Sequence, residues 1–181
     1  MAIEIYYSGA ETPLGVQTEA FNSIGGYISS SKIPNGSSKN LFGDISYLNR
    51  LNKQSQYRLI VLKVVGDTTN IRVGIINNEP MSYSIQLGFI SPNNQLAFEK
   101  LANNASKPLY TEMEGVLYMD DINDIVNLFT IGNKADGSYI GLWVNRNVFK
   151  SPTIENPCEH FSEIEADTNT TRGFNIIIRH D

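Results

Sequence analysis

Charge, cysteine and catalytic motifs are all scarce in this chain, and each scarcity excludes a class of protein. Charged residues make up 18% of the 181 residues, below the roughly 25% usual in a globular domain. The 14 basic residues are outnumbered by 19 acids, giving a net charge of −5. No basic stripe exists to neutralise phosphates, which argues against a direct nucleic-acid ligand. Cys158 is the only cysteine, so a domain stapled by its own disulfides is excluded. The start, MAIEIYY, lacks a basic segment followed by an apolar one and does not read as a secretory signal. The longest strongly apolar runs fall far short of the roughly 20 residues that span a bilayer. These totals predict a soluble protein made in a reducing compartment, with no membrane partner.

Reactive constellations are equally thin. Asp120, Asp121 and Asp124 form the one dense carboxylate cluster, but the central Gly and closing Glu of a calcium loop are missing. An acidic helix start accounts for them more simply, and no metal is expected. Cys158 and His160 lie two residues apart, without the further ligands zinc needs or a third group to orient a base. The glycines at 25, 26 and 36 match no phosphate loop, and Ser29 to Ser31 lie in no nucleophile elbow. A glycosidase would need a facing carboxylate pair, which Asp120, Asp124 and Glu114 could supply only by accident of folding. No catalytic residue, cofactor or small-molecule substrate is expected.

What the chain does have is asparagine, twenty copies, and isoleucine, twenty-one. Asn disfavours helix interiors and tolerates turn geometry, whereas β-branched residues favour strands. Tyr57 to Val65 is apolar on both faces apart from Arg58 and Lys63, as in a buried central strand. Asn70 to Ile76 puts Ile71, Val73 and Ile75 on one face. Ser82 to Phe89 alternates, with Tyr83, Ile85, Leu87 and Phe89 inward. Further strands are expected over 114–119, over 138–148 with the only Trp, and over 173–179. Residues 92–108 fit either a short helix or a loop with a little strand, and 40–52 and 120–129 could each hold a short helix. The expected fold is all-β, a sandwich or jelly-roll-like body at 53–181 with at most one or two short helices. Its core is expected to contain Tyr57, Leu59, Val61, Val73, Ile75, Ile85, Leu87, Trp143, Ile176 and Ile178.

The first 52 residues look different. From Tyr6 to Ser46 single large apolar residues are strung among Gly, Ser and Asn. Such a segment cannot bury a face of its own, so it is expected to form an extended arm with a short helix or turn, lying on its own domain or on a neighbouring copy. Tyr6, Tyr7, Phe21, Tyr27, Ile28, Leu41 and Phe42 are the candidate interface residues. A competing reading makes exposed tyrosines, drawn from Tyr6, Tyr7, Tyr27, Tyr110, Tyr118 and Tyr139, a platform for glycans.

Several segments, taken in order, carry a resemblance. They are Tyr7-Ser8-Gly9, then Ile24 to Ser30 (IGGYISS), Asn40 to Ser46 (NLFGDIS), Gln56-Tyr57-Arg58, and Gly141 to Arg146 (GLWVNR). This succession resembles a family of virion structural proteins of tailed bacteriophages, including crAss-like phages. Gly43 stands where that pattern has an acid, and Gln56 where it has a glutamate. The resemblance implies a β-sandwich particle component without enzymatic activity, present in many copies, with copies of itself and other virion proteins (portal, ring, tail or capsid) as partners. It implies location in the virion after assembly in the host cytoplasm, and gives no position within the particle.

Overall fold

A computed structural model describes residues 2–34, 41–42, 55–77, 83–103, 115–119, 129–148 and 174–181. The fold is mainly β, with two antiparallel sheets, as the composition predicts. Ten strands occur among the described residues: β1 Ala2–Ala10, β2 Gly26–Lys32, β3 Ser55–Val65, β4 Thr68–Asn77, β5 Tyr83–Ile90, β6 Ala97–Phe98, β7 Gly115–Met119, β8 Phe129–Lys134, β9 Tyr139–Val148 and β10 Phe174–Arg179. The larger sheet has the order β6-β2-β1-β3-β9-β5-β7 and the smaller the order β10-β4-β8. One 3-10 turn, Ala20–Asn22, is the only helical element among the described residues.

The double-sided apolarity of YRLIVLKVV is explained by its position. β3 is the middle strand of seven, flanked by β1 and β9. Ile60, Leu62 and Val64 point between the sheets, where they meet Ile140, Leu142 and Val144 of β9, Leu87 and Phe89 of β5, and Ile71 and Val73 of β4. Ile176, Ile178 and Ile131 close this core from the smaller sheet while staying half-buried. Tyr57, Leu59 and Val61 point the other way, into a second core with Ile28, Phe98, Leu101 and Trp143. Of the expected core residues, Ile75 and Ile85 lie in β4 and β5, and their side chains are outside the described set.

That second core exists because the large sheet curls. Phe98 sits on edge strand β6, four places from β9 in the sheet order. Yet its ring fills the space above Gly141 of β9, where an added Cβ would come within 2.5 Å of it. The sheet therefore bends into a half-barrel whose concave side wraps Leu59 and Trp143, both nearly inaccessible to solvent.

The expectation of a separate N-terminal arm is corrected here. β1 pairs with β3 along six consecutive residues, from Ala2 opposite Val65 to Tyr7 opposite Ile60. β2 pairs with β1 and β6. Of the two destinations open to the segment, its described part takes its own domain and supplies two inner strands of the main sheet. Its irregular pattern reflects bulges: the β1–β2 register shifts twice within a few residues. There is no seam near residue 52 between the described elements. The possible helices over 40–52 and 120–129 lie outside the described residues except Leu41, Phe42 and Phe129, the last of which opens β8. Residues 92–103 form a turn and the two-residue strand β6, the loop alternative.

Candidate assembly surface

The stretch between β1 and β2 is held by hydroxyl groups acting where a sheet ladder fails. The β1–β3 pairing stops at Tyr7–Ile60, and Ser23 wedges in beyond it. Leu59 donates its N–H to the Ser23 carbonyl (2.7 Å). The Leu59 carbonyl accepts from Ser23 Oγ at 2.6 Å and from Ser8 Oγ at 2.9 Å. Ser8 N–H reaches Ser23 Oγ at 2.8 Å, and Gly25 N–H reaches Ser8 Oγ at 3.1 Å. Both serines are fully buried, so these bonds satisfy groups that would otherwise be stranded from water. Backbone approach is closest at two glycines. Gly25 has φ +92°, and a methyl there would overlap the Glu99 carbonyl; Gly9 has φ +88° and faces the Asn22 carbonyl in the same way. These are the glycines of the Tyr-Ser-Gly and Gly-Gly segments.

A second tier of bonds pins the loop from Glu11 to Asn22. Leu14 N–H donates to the Ile28 carbonyl (2.8 Å) and Ser30 N–H to the Gly15 carbonyl (2.9 Å). Buried Ser29 accepts from Gln17 N–H and donates to the Gln17 carbonyl, while Gln17 Nε2 donates to the Ser8 carbonyl. On this braced backbone Val16 is 80% exposed, Phe21 59% and Leu14 46%. Leu14 also holds a φ of +57°, a conformation that residues with a Cβ resist. These hydrogen bonds fix the backbone that holds the three apolar side chains in water.

Phe42, Gln56, Arg58 and Arg146, from the later motif segments, converge at the other end of β3. Phe42 is buried between two guanidinium groups: Arg146 lies 4.7 Å and Arg58 5.4 Å from its ring centroid. Arg146 also donates to Gln56 Oε1, through Nε at 3.1 Å and through a second nitrogen. Arg58 donates to the Tyr57 carbonyl (2.7 Å), and its Nε has no hydrogen-bond partner among the described residues. Burial pulls its pKa down to about 10, still far enough above neutrality to leave it charged. The ring face compensates both cations for lost water.

No family model, no curated protein and no solved structure matches the chain. The geometry alone therefore sorts the candidates. Tyr7, Ile28, Leu41 and Phe42 are buried in the protein's own cores, so their assignment to a subunit interface is corrected: they are spoken for. Tyr6 and Tyr27 are half-buried and Phe21 is exposed, which leaves them available. Tyr6 donates to Glu4 at 2.7 Å, Lys32 donates to the same carboxylate at 2.6 Å, and the Lys32 ammonium sits 5.9 Å from the Tyr6 ring. The glycan platform loses Tyr7 to the core, while Tyr139 is half-buried under Lys63. Tyr110 lies outside the described residues, as does the Tyr118 side chain. Leu14 and Val16 were not singled out by the sequence: they follow no period, and only their isolation among Thr, Pro and Gly marks them. Asp120, Asp121, Asp124, Cys158 and His160 lie outside the described residues. Among the described residues no three His, Cys, Asp or Glu side chains gather as metal ligands, and no helix is long and apolar enough to cross a membrane.

Proposed function

We propose that the protein is a non-enzymatic structural component of a tailed-phage virion, used in many copies in a neck or tail ring near the portal. Assembled in the host cytoplasm, it would contact copies of itself and other virion proteins. The observation that carries this reading is the braced loop Glu11 to Asn22, which spends buried hydroxyls and two positive-φ glycines to hold Leu14, Val16 and Phe21 in solvent. The motif succession supports it further, because Ser8, Gly9, Gly25 and Ser29 belong to this clasp and Phe42, Gln56, Arg58 and Arg146 to the Phe42 cluster. A head decoration or head-fibre base protein is the alternative placement, and copy number separates the two: roughly a dozen for a ring, hundreds for a coat.

The test is a Val16→Asp, Phe21→Asp double variant. Both side chains are exposed, so the variant should fold normally by circular dichroism. Its occupancy in particles should fall at least about tenfold, since two desolvated charges in an interface cost well over 1.4 kcal/mol. Normal occupancy would sink the loop as the contact and, with it, the reading it carries.

A further inference from the structure

Among the described residues, the smaller sheet ends on a strand whose one defence against pairing is the terminal Arg179. β10, Phe174 to Arg179 (FNIIIR), matches β4 residue for residue without a bulge, from Phe174 opposite Asn77 to Arg179 opposite Arg72. No described residue gives its outer edge a backbone hydrogen bond. The sheet's other edge, β8, is broken by two register shifts and a positive-φ Gly132, and carries Lys134. On the large sheet, β6 is only two residues long. Short strands, bulges and lysines are how natural sheets blunt their edges. β10 has three consecutive isoleucines instead, and its core-facing Ile176 and Ile178 are only half-buried.

We propose that β10 pairs antiparallel with β10 of a second copy across a two-fold axis through Ile177, joining two three-stranded sheets into one of six. The choice of a second copy follows from the register. A two-fold axis perpendicular to a sheet keeps each face continuous, so paired residues must share a face. With Ile177 opposite itself, Ile176 falls opposite Ile178 of the second copy on the core side. On the other side Asn175 falls opposite Arg179. No like charges meet in this register. Arg179, which within one chain lies across from Arg72, has no cation opposite it across the new pair. The half-buried isoleucines gain apolar neighbours, continuing the core from one copy to the next. A six-residue edge is a small contact, so the isolated pair is weak and depends on concentration; within a multi-copy assembly the same contact is strengthened by its neighbours. The pairing deepens the multi-copy reading and rests on it only for its use in a particle.

The purified full chain tests it by sedimentation velocity over a range of concentrations. The expected result is a monomer–dimer equilibrium. Ile177→Lys and Ile177→Glu, each alone, should weaken it about tenfold or more, because identical charges then face each other at the axis. Mixing the two variants should restore dimer, which a merely misfolded variant could not do. In a Cys158→Ser background, Ile177→Cys should form an intermolecular disulfide on mild oxidation, because facing strand residues lie within bridging distance. Asn175→Cys, opposite Arg179, should not. A monomer at every concentration, or a dimer that Ile177→Cys fails to cross-link, overturns the proposal. High copy number in particles alongside a β10 that stays unpaired would leave the assembly reading standing and this contact refuted.

Discussion

At the scale of single residues, the weight falls on groups that replace a missing ladder. Ser8 Oγ satisfies the Leu59 carbonyl and accepts from Gly25 N–H in full burial. Ser8→Ala should therefore cost about 1–3 kcal/mol, since it strands the Gly25 N–H, while the Leu59 carbonyl keeps its bond from Ser23; chemical denaturation measures it. Gly25→Ala should cost at least about 2–3 kcal/mol, because backbone strain and a carbonyl clash add. Arg58 gives the opposite sign. Its buried, partly unsatisfied guanidinium is expensive, so Arg58→Met should be neutral or stabilising, whereas Phe42→Ala, which uncovers two cations and opens a cavity, should cost about 3–5 kcal/mol.

Tyr6 gives a pH signature of its own. Its hydrogen bond to Glu4 is the main cause that pushes its pKa up to about 12 from an ordinary 10. The folded value lies above the unfolded one, so the stabilising contribution is complete below pH 10 and fades as pH rises towards 12. Ultraviolet titration of native protein should show a late tyrosinate that Tyr6→Phe removes. Glu4 runs the other way: its bond to Lys32 is the largest cause holding its pKa below 4.5, so its contribution is present above that value and fades as pH falls further. Glu4 is half-buried but its partner Lys32 is exposed, so the effect is one that salt screens.

At the scale of elements, strands with strict periodicity were legible and strands with bulges were not. β3, β5 and β9 announce themselves because Leu59, Leu87 and Trp143 sit in runs of alternating or continuous apolar residues, and burial of one or both faces enforces that pattern. β1 and β2 look like an arm in sequence because Gly9, Gly25 and Gly26 interrupt their alternation. Those glycines are what lets the backbone bulge and close upon itself, a long-range fact no local window contains. β8, with Gly132 inside it, was hidden for the same reason. The candidate surface was half legible: Phe21 stood out by size, whereas the exposure of Val16 depends on bonds from Ser29 and Gln17. The curl of the large sheet is testable at this scale. Gly141→Ala should destabilise by about 1–3 kcal/mol through collision with Phe98, and Phe98→Leu should recover part of that loss in a double-mutant cycle.

At the scale of the whole molecule, the N-terminal strands cannot be trimmed to leave a working body. Deleting residues 2–34 removes β1 and β2 from the main sheet, exposes the flank of β3 and empties the Ile28 position of the second core. The shortened chain should aggregate or fail to show a cooperative transition, where a detachable arm would leave a soluble remainder; thermal scanning calorimetry distinguishes the two. Deletion is therefore the wrong tool for probing assembly, and point changes on the loop or on β10 are the right ones.

The central placement of β3 carries a consequence for biosynthesis. Its two partners lie on opposite sides of it along the chain, β1 before it and β9 beginning only at Tyr139. During translation this strongly apolar segment can be zipped on one side only until Tyr139–Val148 has left the ribosome. Non-local pairing of this kind slows folding to milliseconds or longer and prolongs the sticky half-made stage. Nascent chains stalled before Tyr139 should accordingly be chaperone clients, and released ones should not.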